Sequence, residues 1–91
     1  MRKLWSEKAW EDYLYWQNED RRILKRINAL IKSLERNPEG ITIGKPERLK
    51  YSQSGLLSVR IDQSHRLVYK FHVQDGEQVL LIISCRGHYQ D

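Results

Sequence analysis

One cysteine, Cys85, stands in a chain of 91 residues, so no internal disulfide can form. That usage fits a reducing cytosol and argues against secretion. No apolar run approaches the ~18–20 residues that cross a bilayer as a helix. The N-terminus, Met1-Arg2-Lys3-Leu4-Trp5-Ser6-Glu7, turns acidic too early for the apolar core of a signal peptide. Internal repeats and low-complexity stretches are absent. Both prolines and two of the five glycines fall between Asn37 and Pro46, which reads as a connecting loop. The length leaves no room for a second domain, so one globular domain over residues 1–91 is expected. A chain of this size buries roughly 60–65% of the surface its unfolded form exposes. The 31% charged residues, five Tyr, three Trp and one Phe, with clear apolar periodicity, exclude a disordered polymer.

The net charge of +4 is modest, but it is unevenly spread. Glu7 to Asp20 holds five acids and one base, whereas Arg21 to Arg36 holds six bases and one acid. A concentrated basic face attracts a polyanion more strongly than the mean charge suggests. Arg22, Lys25, Arg26, Lys32 and Arg36 form that face. They are candidate contacts to a polyanion, although a solvated helix surface would look the same.

The periodicity predicts an α+β fold. Arg2 to Trp5 reads as a short opening strand. Ser6 suits an N-cap, and Trp10, Tyr13 and Leu14 continue a helix to about Gln17, followed by a polar break at Asn18-Glu19-Asp20. Ile23, Ile27, Leu30, Ile31 and Leu34 make one stripe of a second helix, which Asn37-Pro38 ends. So short a break implies an antiparallel helix pair. The period then changes to two. Leu57, Val59 and Ile61 alternate with Ser58, Arg60 and Asp62, and Leu67, Tyr69, Phe71 and Val73 alternate with Arg66, Val68, Lys70 and His72. Asp75-Gly76 marks a hairpin turn, and Val79 to Ile83 reads as a central strand covered on both faces. The helices are expected on one face of an antiparallel sheet.

That alternation has chemical content. With the apolar set facing the helices, Arg60, Arg66 and Lys70 project from the other face, and Arg86-Gly87-His88-Tyr89 brings an imidazole and a phenol nearby. These are components of a phosphate-handling site. Each also has an ordinary explanation. On those readings the arginines are solvated charges pairing with Asp62, Glu47 is a loop carboxylate after a proline, and His88 and Tyr89 are a frayed tail. Cys85 and His88 have a zinc-like spacing that His65 or His72 could extend. One cysteine and histidines on separate strands make a poor ligand set, however, and no metal or other cofactor is expected. Cys85 reads more simply as a small buried hydrophobe.

Longer blocks carry a resemblance. Trp5-Ser6-Glu7, Trp10, Asp12-Tyr13-Leu14-Tyr15-Trp16-Gln17, Arg22-Ile23, Lys25 and Ile27-Asn28 resemble the start of YoeB-type (Txe-type) toxins of the RelE superfamily of bacterial toxin–antitoxin systems. The likeness continues through Gly44-Lys45-Pro46-Glu47, Leu49-Lys50, Ser54-Gly55, Ser58, Arg60-Ile61, His65-Arg66-Leu67-Val68-Tyr69, Cys85-Arg86 and His88-Tyr89. It implies a RelE-like fold and a ribosome-dependent endoribonuclease that cuts mRNA in the A site of the cytoplasmic ribosome. By the same resemblance Glu47 is the general base, Arg66 the phosphate stabiliser and His88 the general acid. Lys50, Arg60 and Tyr89 support the substrate. The implied partners are a cognate antitoxin, ribosomal RNA, mRNA and a second copy of the chain, with no membrane. Two departures stand out: Gln90 and Asp91 extend beyond Tyr89, and Val59 stands where some relatives have a second arginine.

The residue types suit that chemistry. RNA carries its own nucleophile, the 2′-hydroxyl. A base must take its proton, an acid must protonate the departing 5′-oxygen, and a cation must hold the phosphorane. A different class remains open: a catalytically weak binding module that represses transcription together with its antitoxin. The gyrase-inhibiting branch of the superfamily lacks this acid–base set, which counts against that reading. Slow cutting of free RNA is a further alternative.

Overall fold

A strand over Arg2–Trp5 (β1) runs into a helix over Glu7–Glu19 (α1), and Ser6 joins the two. The computed structural model describes residues 1–38, 43–49 and 55–88. The Ser6 hydroxyl accepts from the Ala9 amide at 3.0 Å, capping α1, and donates to the Ile83 carbonyl at 2.6 Å. One side chain therefore starts the helix and ties it to the sheet. The second helix spans Arg21–Arg36 (α2). Asp20 alone separates the helices. Its amide donates to the Trp16 carbonyl at the end of α1, and its carboxylate accepts from the Arg22 and Ile23 amides at the start of α2. The first helix thus continues two residues past the expected end at Gln17. Asn18 lies within it, its side chain donating back to the Leu14 carbonyl at 3.4 Å. Tyr13 donates to Asn28 at 2.8 Å across the Asp20 turn, as helices folded back on each other require.

Four more strands follow: Glu47–Arg48 (β2), Leu57–Arg60 (β3), Arg66–Gln74 (β4) and Glu77–Ser84 (β5). Together the strands form one sheet in the order β1-β5-β4-β3-β2. From β2 to β5 all neighbours are antiparallel, as the alternation predicts. β1 instead lies parallel to β5, with Leu4 opposite Leu81, after a connection through both helices. The Asp75-Gly76 turn has positive φ at both residues, 53° and 78°, with Gln74 opposite Glu77. That is the geometry of a two-residue type I′ hairpin.

The helices cover one face of the sheet. Ala9 and Trp16 of α1 and Ile27, Leu30, Ile31 and Leu34 of α2 pack on Val59, Leu67, Tyr69, Leu80 and Ile82, with Ile61 and Cys85 closing the cluster. Three expectations shift here. Val73, placed by alternation on the inner face, is 66% exposed because the β4–β5 hairpin runs on past the core. Leu81 and Ile83 are only half-buried, so β5 is an interior strand whose second face is partly open. Ile61 is buried, yet it follows the end of β3, in the bend that leads to β4. Among the described residues no helix is long and apolar enough to cross a membrane.

Candidate active site

Strand register brings the first candidates together. β2 sets Glu47 opposite Ser58, and the β3–β4 pairing sets Arg60 opposite Arg66. The Arg66 side chain runs back across β3. Its Nε donates to the Ser58 hydroxyl at 3.0 Å, and one guanidinium nitrogen lies 3.7 Å from a carboxylate oxygen of Glu47. Ser58 is 1% exposed, so its hydroxyl is a fixed acceptor rather than a solvated one. From α2, Arg26 reaches over and donates to the Arg60 carbonyl at 3.3 Å.

These groups line a cleft of about 410 Å³, with Arg26, Gly44, Lys45, Glu47, Arg60 and Arg66 on its walls. Four basic side chains face one carboxylate, a balance that favours an anion. Arginine adds geometry to charge, because its planar fork matches two oxygens of a phosphate. Gly44 shapes the floor. Its φ is +84°, and a Cβ there would run into Cγ2 of Val59, so a larger residue would be both strained and obstructed.

The C-terminal candidates are held by a chain of contacts. The Asp12 carboxylate, buried on α1, accepts from the Cys85 amide at 3.0 Å, and Trp16 Nε1 donates to the Cys85 carbonyl at 2.8 Å. The Arg86 guanidinium sits 3.6 Å over the Tyr15 ring, a cation–π contact. The Gly87 amide donates to His65 Nδ1 at 2.7 Å, and the Gly87 carbonyl accepts from the Arg66 amide at 3.0 Å. His88 follows immediately. It is exposed and does not line the cleft, but its neighbour Gly87 is paired to the backbone of Arg66.

Several sequence expectations find their place here. Glu47, Arg60 and Arg66 meet in one cleft, whereas Lys70 does not line it. Asp62 does not serve as the arginines' counter-ion. Its carboxylate accepts from the Ser64 and His65 amides at 2.8 and 2.7 Å and so caps the bend between β3 and β4. Within the basic stripe, Arg22, Lys25, Lys32 and Arg36 are exposed along α2, while Arg26 is half-buried and belongs to the cleft. Lys50 and Tyr89, with Gln90 and Asp91, lie outside the described residues. Among the described residues no three His, Cys, Asp or Glu side chains gather as metal ligands would. Burial, reinforced by the Asp12 charge, pushes the Cys85 thiol up to about 12, so it stays protonated and acts as a small hydrophobe. Beyond their places in the family blocks, Ser58 carries no signal in the sequence and His65 only the weak zinc-like spacing; Ser58 holds Arg66 and His65 holds Gly87.

The chain matches the model of the YoeB-like toxin of bacterial type II toxin–antitoxin systems over residues 5–89. Toxin YoeB of Escherichia coli (strain K12) is 54% identical over 90 residues, covering 98% of this chain and all of the relative. A YoeB/ParE toxin from Agrobacterium tumefaciens superposes with a TM-score of 0.88 at 40% identity, covering 98% of this chain and 100% of that one. The YoeB dimer from Staphylococcus aureus gives a TM-score of 0.84 at 43% identity, with 98% of each chain covered. The toxin in a heterotetrameric YoeB–YefM toxin–antitoxin complex from the same organism gives 0.81 at 44%, again with 98% of each chain covered.

Proposed function

The chain belongs to the YoeB-like toxins of bacterial type II toxin–antitoxin systems, and from that premise we propose that it is a ribosome-dependent endoribonuclease. The observation that carries this reading is the meeting of Glu47 with Arg66, itself held by Ser58, at a cationic cleft. Glu47 takes the proton of an mRNA 2′-hydroxyl. The freed oxygen attacks the adjacent phosphorus, and Arg66, with Arg60 and Arg26, holds the charge that builds on the phosphorane oxygens. His88 gives a proton to the 5′-oxygen as that bond breaks. The products are a 2′,3′-cyclic phosphate and a 5′-hydroxyl. Base, acid and counter-charge all come from side chains, so no metal is required. Lys50 and Tyr89 support the substrate.

A positioned acid or base contributes roughly 10²–10⁴-fold each. The remaining acceleration comes from alignment, which the ribosome supplies by fixing the mRNA in its A site. The exposed bases of α2, Arg22, Lys25, Lys32 and Arg36, attract ribosomal RNA, since phosphate contacts position without reading sequence. The protein works in the cytoplasm, where its mRNA and ribosomes are. A cognate antitoxin holds it inactive, in line with the S. aureus toxin–antitoxin complex, and a homodimer is the free form, in line with the S. aureus dimer. Trp10, 47% exposed and stacked with Tyr13, and Leu14 offer apolar surface for a partner.

Mapping 5′ ends on a defined mRNA in a purified translation system tests this directly. Wild type is expected to cut within the A-site codon only when ribosomes are present, and His88→Ala is expected to cut nowhere. Absence of cutting by wild type would leave the protein a binding module that acts with its antitoxin in repression.

A further inference from the structure

His65 lies in the bend between β3 and β4, and its backbone is fixed on both sides. Its amide donates to the Asp62 carboxylate at 2.7 Å, while its carbonyl accepts from the Ile61 and Asp62 amides at 2.9 and 3.2 Å. The ring is half-buried and stands edge-on to Trp16, with centroids 4.7 Å apart and planes at 78°. Its Nδ1 accepts the Gly87 amide at 2.7 Å. A backbone amide can only donate, so Nδ1 carries no proton and the ring's proton sits on Nε2.

Gly87 is therefore held at both ends of its own residue. Its N–H is taken by the His65 ring, and its carbonyl is taken by the amide of Arg66, the next residue in the chain. At φ +88° Gly87 adopts a left-handed conformation that residues with a Cβ rarely take. The chain turns there, and His88 is the first residue beyond the turn. The ties at Cys85 and Arg86 run to α1, but the Arg66–Gly87 pair runs to the first residue of β4, and the His65–Gly87 bond runs to the residue just before it.

From this arrangement we infer that His65 is a positioning residue for catalysis: its neutral ring clamps Gly87 and so fixes His88 relative to Arg66. The inference rests on the reading above that His88 is the general acid. His65 touches no reacting atom in this scheme. It acts through the direction in which the chain leaves Gly87.

The test compares wild type, His65→Ala, His65→Asn and His88→Ala, each as the full chain. Asparagine keeps an oxygen acceptor close to the place of Nδ1; alanine keeps none. Two quantities are read: single-turnover cleavage of mRNA on programmed ribosomes, and exchange of the Gly87 amide proton by NMR. A displacement of about 1 Å can cost about 10²-fold in rate, so His65→Ala is expected to lower kcat by about that factor with KM unchanged. His65→Asn is expected to recover most of the loss. Gly87 exchange should accelerate at least about tenfold in His65→Ala and return toward wild type in His65→Asn. The interior β5 amides Leu80 and Ile82 should stay protected in both variants, which shows that the fold survives.

Cleavage by His65→Ala at the wild-type rate overturns the inference, as does unchanged exchange at Gly87. A rise in KM alone also overturns it, since that would make His65 a substrate contact. Unfolding of His65→Ala moves the decision to His65→Asn, where fast Gly87 exchange and wild-type kcat together would refute the clamp. If wild type itself cuts nothing on ribosomes, the endoribonuclease reading fails, and the exchange data still decide whether His65 holds Gly87.

Discussion

The Arg66 guanidinium stands 3.7 Å from the Glu47 carboxylate, close enough for attraction but too far for a well-formed hydrogen bond. The two partners differ in freedom. The Arg66 side chain is 17% exposed and anchored by Ser58, while the Glu47 side chain is 75% exposed on a strand of two residues. A pair this open contributes about 0–1 kcal/mol to stability. Glu47 is thus available to accept a proton while its neighbour stays fixed. Glu47→Gln is expected to leave the unfolding midpoint nearly unchanged and to lower ribosomal mRNA cleavage roughly 10²–10⁴-fold. Denaturant titration and single-turnover kinetics on the same preparation check it. Full activity in the glutamine variant would remove Glu47 from the mechanism.

Ser58 governs the other end of the same arginine. Its hydroxyl accepts from Nε, which leaves both terminal nitrogens of this cleft-lining arginine outside that bond. Ser58→Ala removes that anchor without touching the charge. The expected result is a loss of about 1 kcal/mol in stability, with cleavage lowered about tenfold. Arg66→Lys lacks the Nε that Ser58 holds, so the two changes should not add. A double-mutant cycle measures this. Independent, multiplicative losses would mean that Ser58 does not act through Arg66.

Local signals in the sequence were sufficient for local structure. Ser6 announces the first helix, Asn37-Pro38 ends the second, and Asp75-Gly76 marks the hairpin, because each depends on backbone geometry within a few residues. The parallel pairing of β1 with β5 was not legible, since a four-residue strand says nothing about its distant neighbour. The end of α1 is not legible because Asn18 and Glu19 look like breakers, yet Asp20 alone serves both helices. At the site, alternation puts Arg66 on the open face and the resemblance names Glu47, while their contact comes from the register that sets Glu47 against Ser58. Periodicity puts Arg26 in the solvent-facing stripe. Helical periodicity gives a residue's face, but it does not show that a long side chain reaches across to the Arg60 carbonyl. Ser58 and His65 act through single hydrogen bonds to partners eight and 22 residues away, which no pattern of period two or 3.6 encodes.

Two buried protons contribute to the response of the fold to alkali. Burial raises the Tyr69 phenol from 10.0 to about 12. Burial, then the Asp12 charge, raises the Cys85 thiol from 9.0 to about 12. In both cases the unfolded chain releases its proton first, so above pH 9 it binds fewer protons than the native state. Stability is therefore unaffected by these groups below pH 9 and falls as pH rises from about 9 toward 12, Cys85 first and Tyr69 from about 10. Each proton contributes a slope of at most about 1.4 kcal/mol per pH unit. Urea unfolding at pH 8, 9.5 and 11 should show the decline in wild type. Cys85→Ala should flatten its first part and Tyr69→Phe its second, even though each variant starts from a lower stability at pH 8. Parallel declines in all three proteins would place the alkaline sensitivity elsewhere, since only groups whose protons are held more tightly in the folded state can produce a slope of this sign.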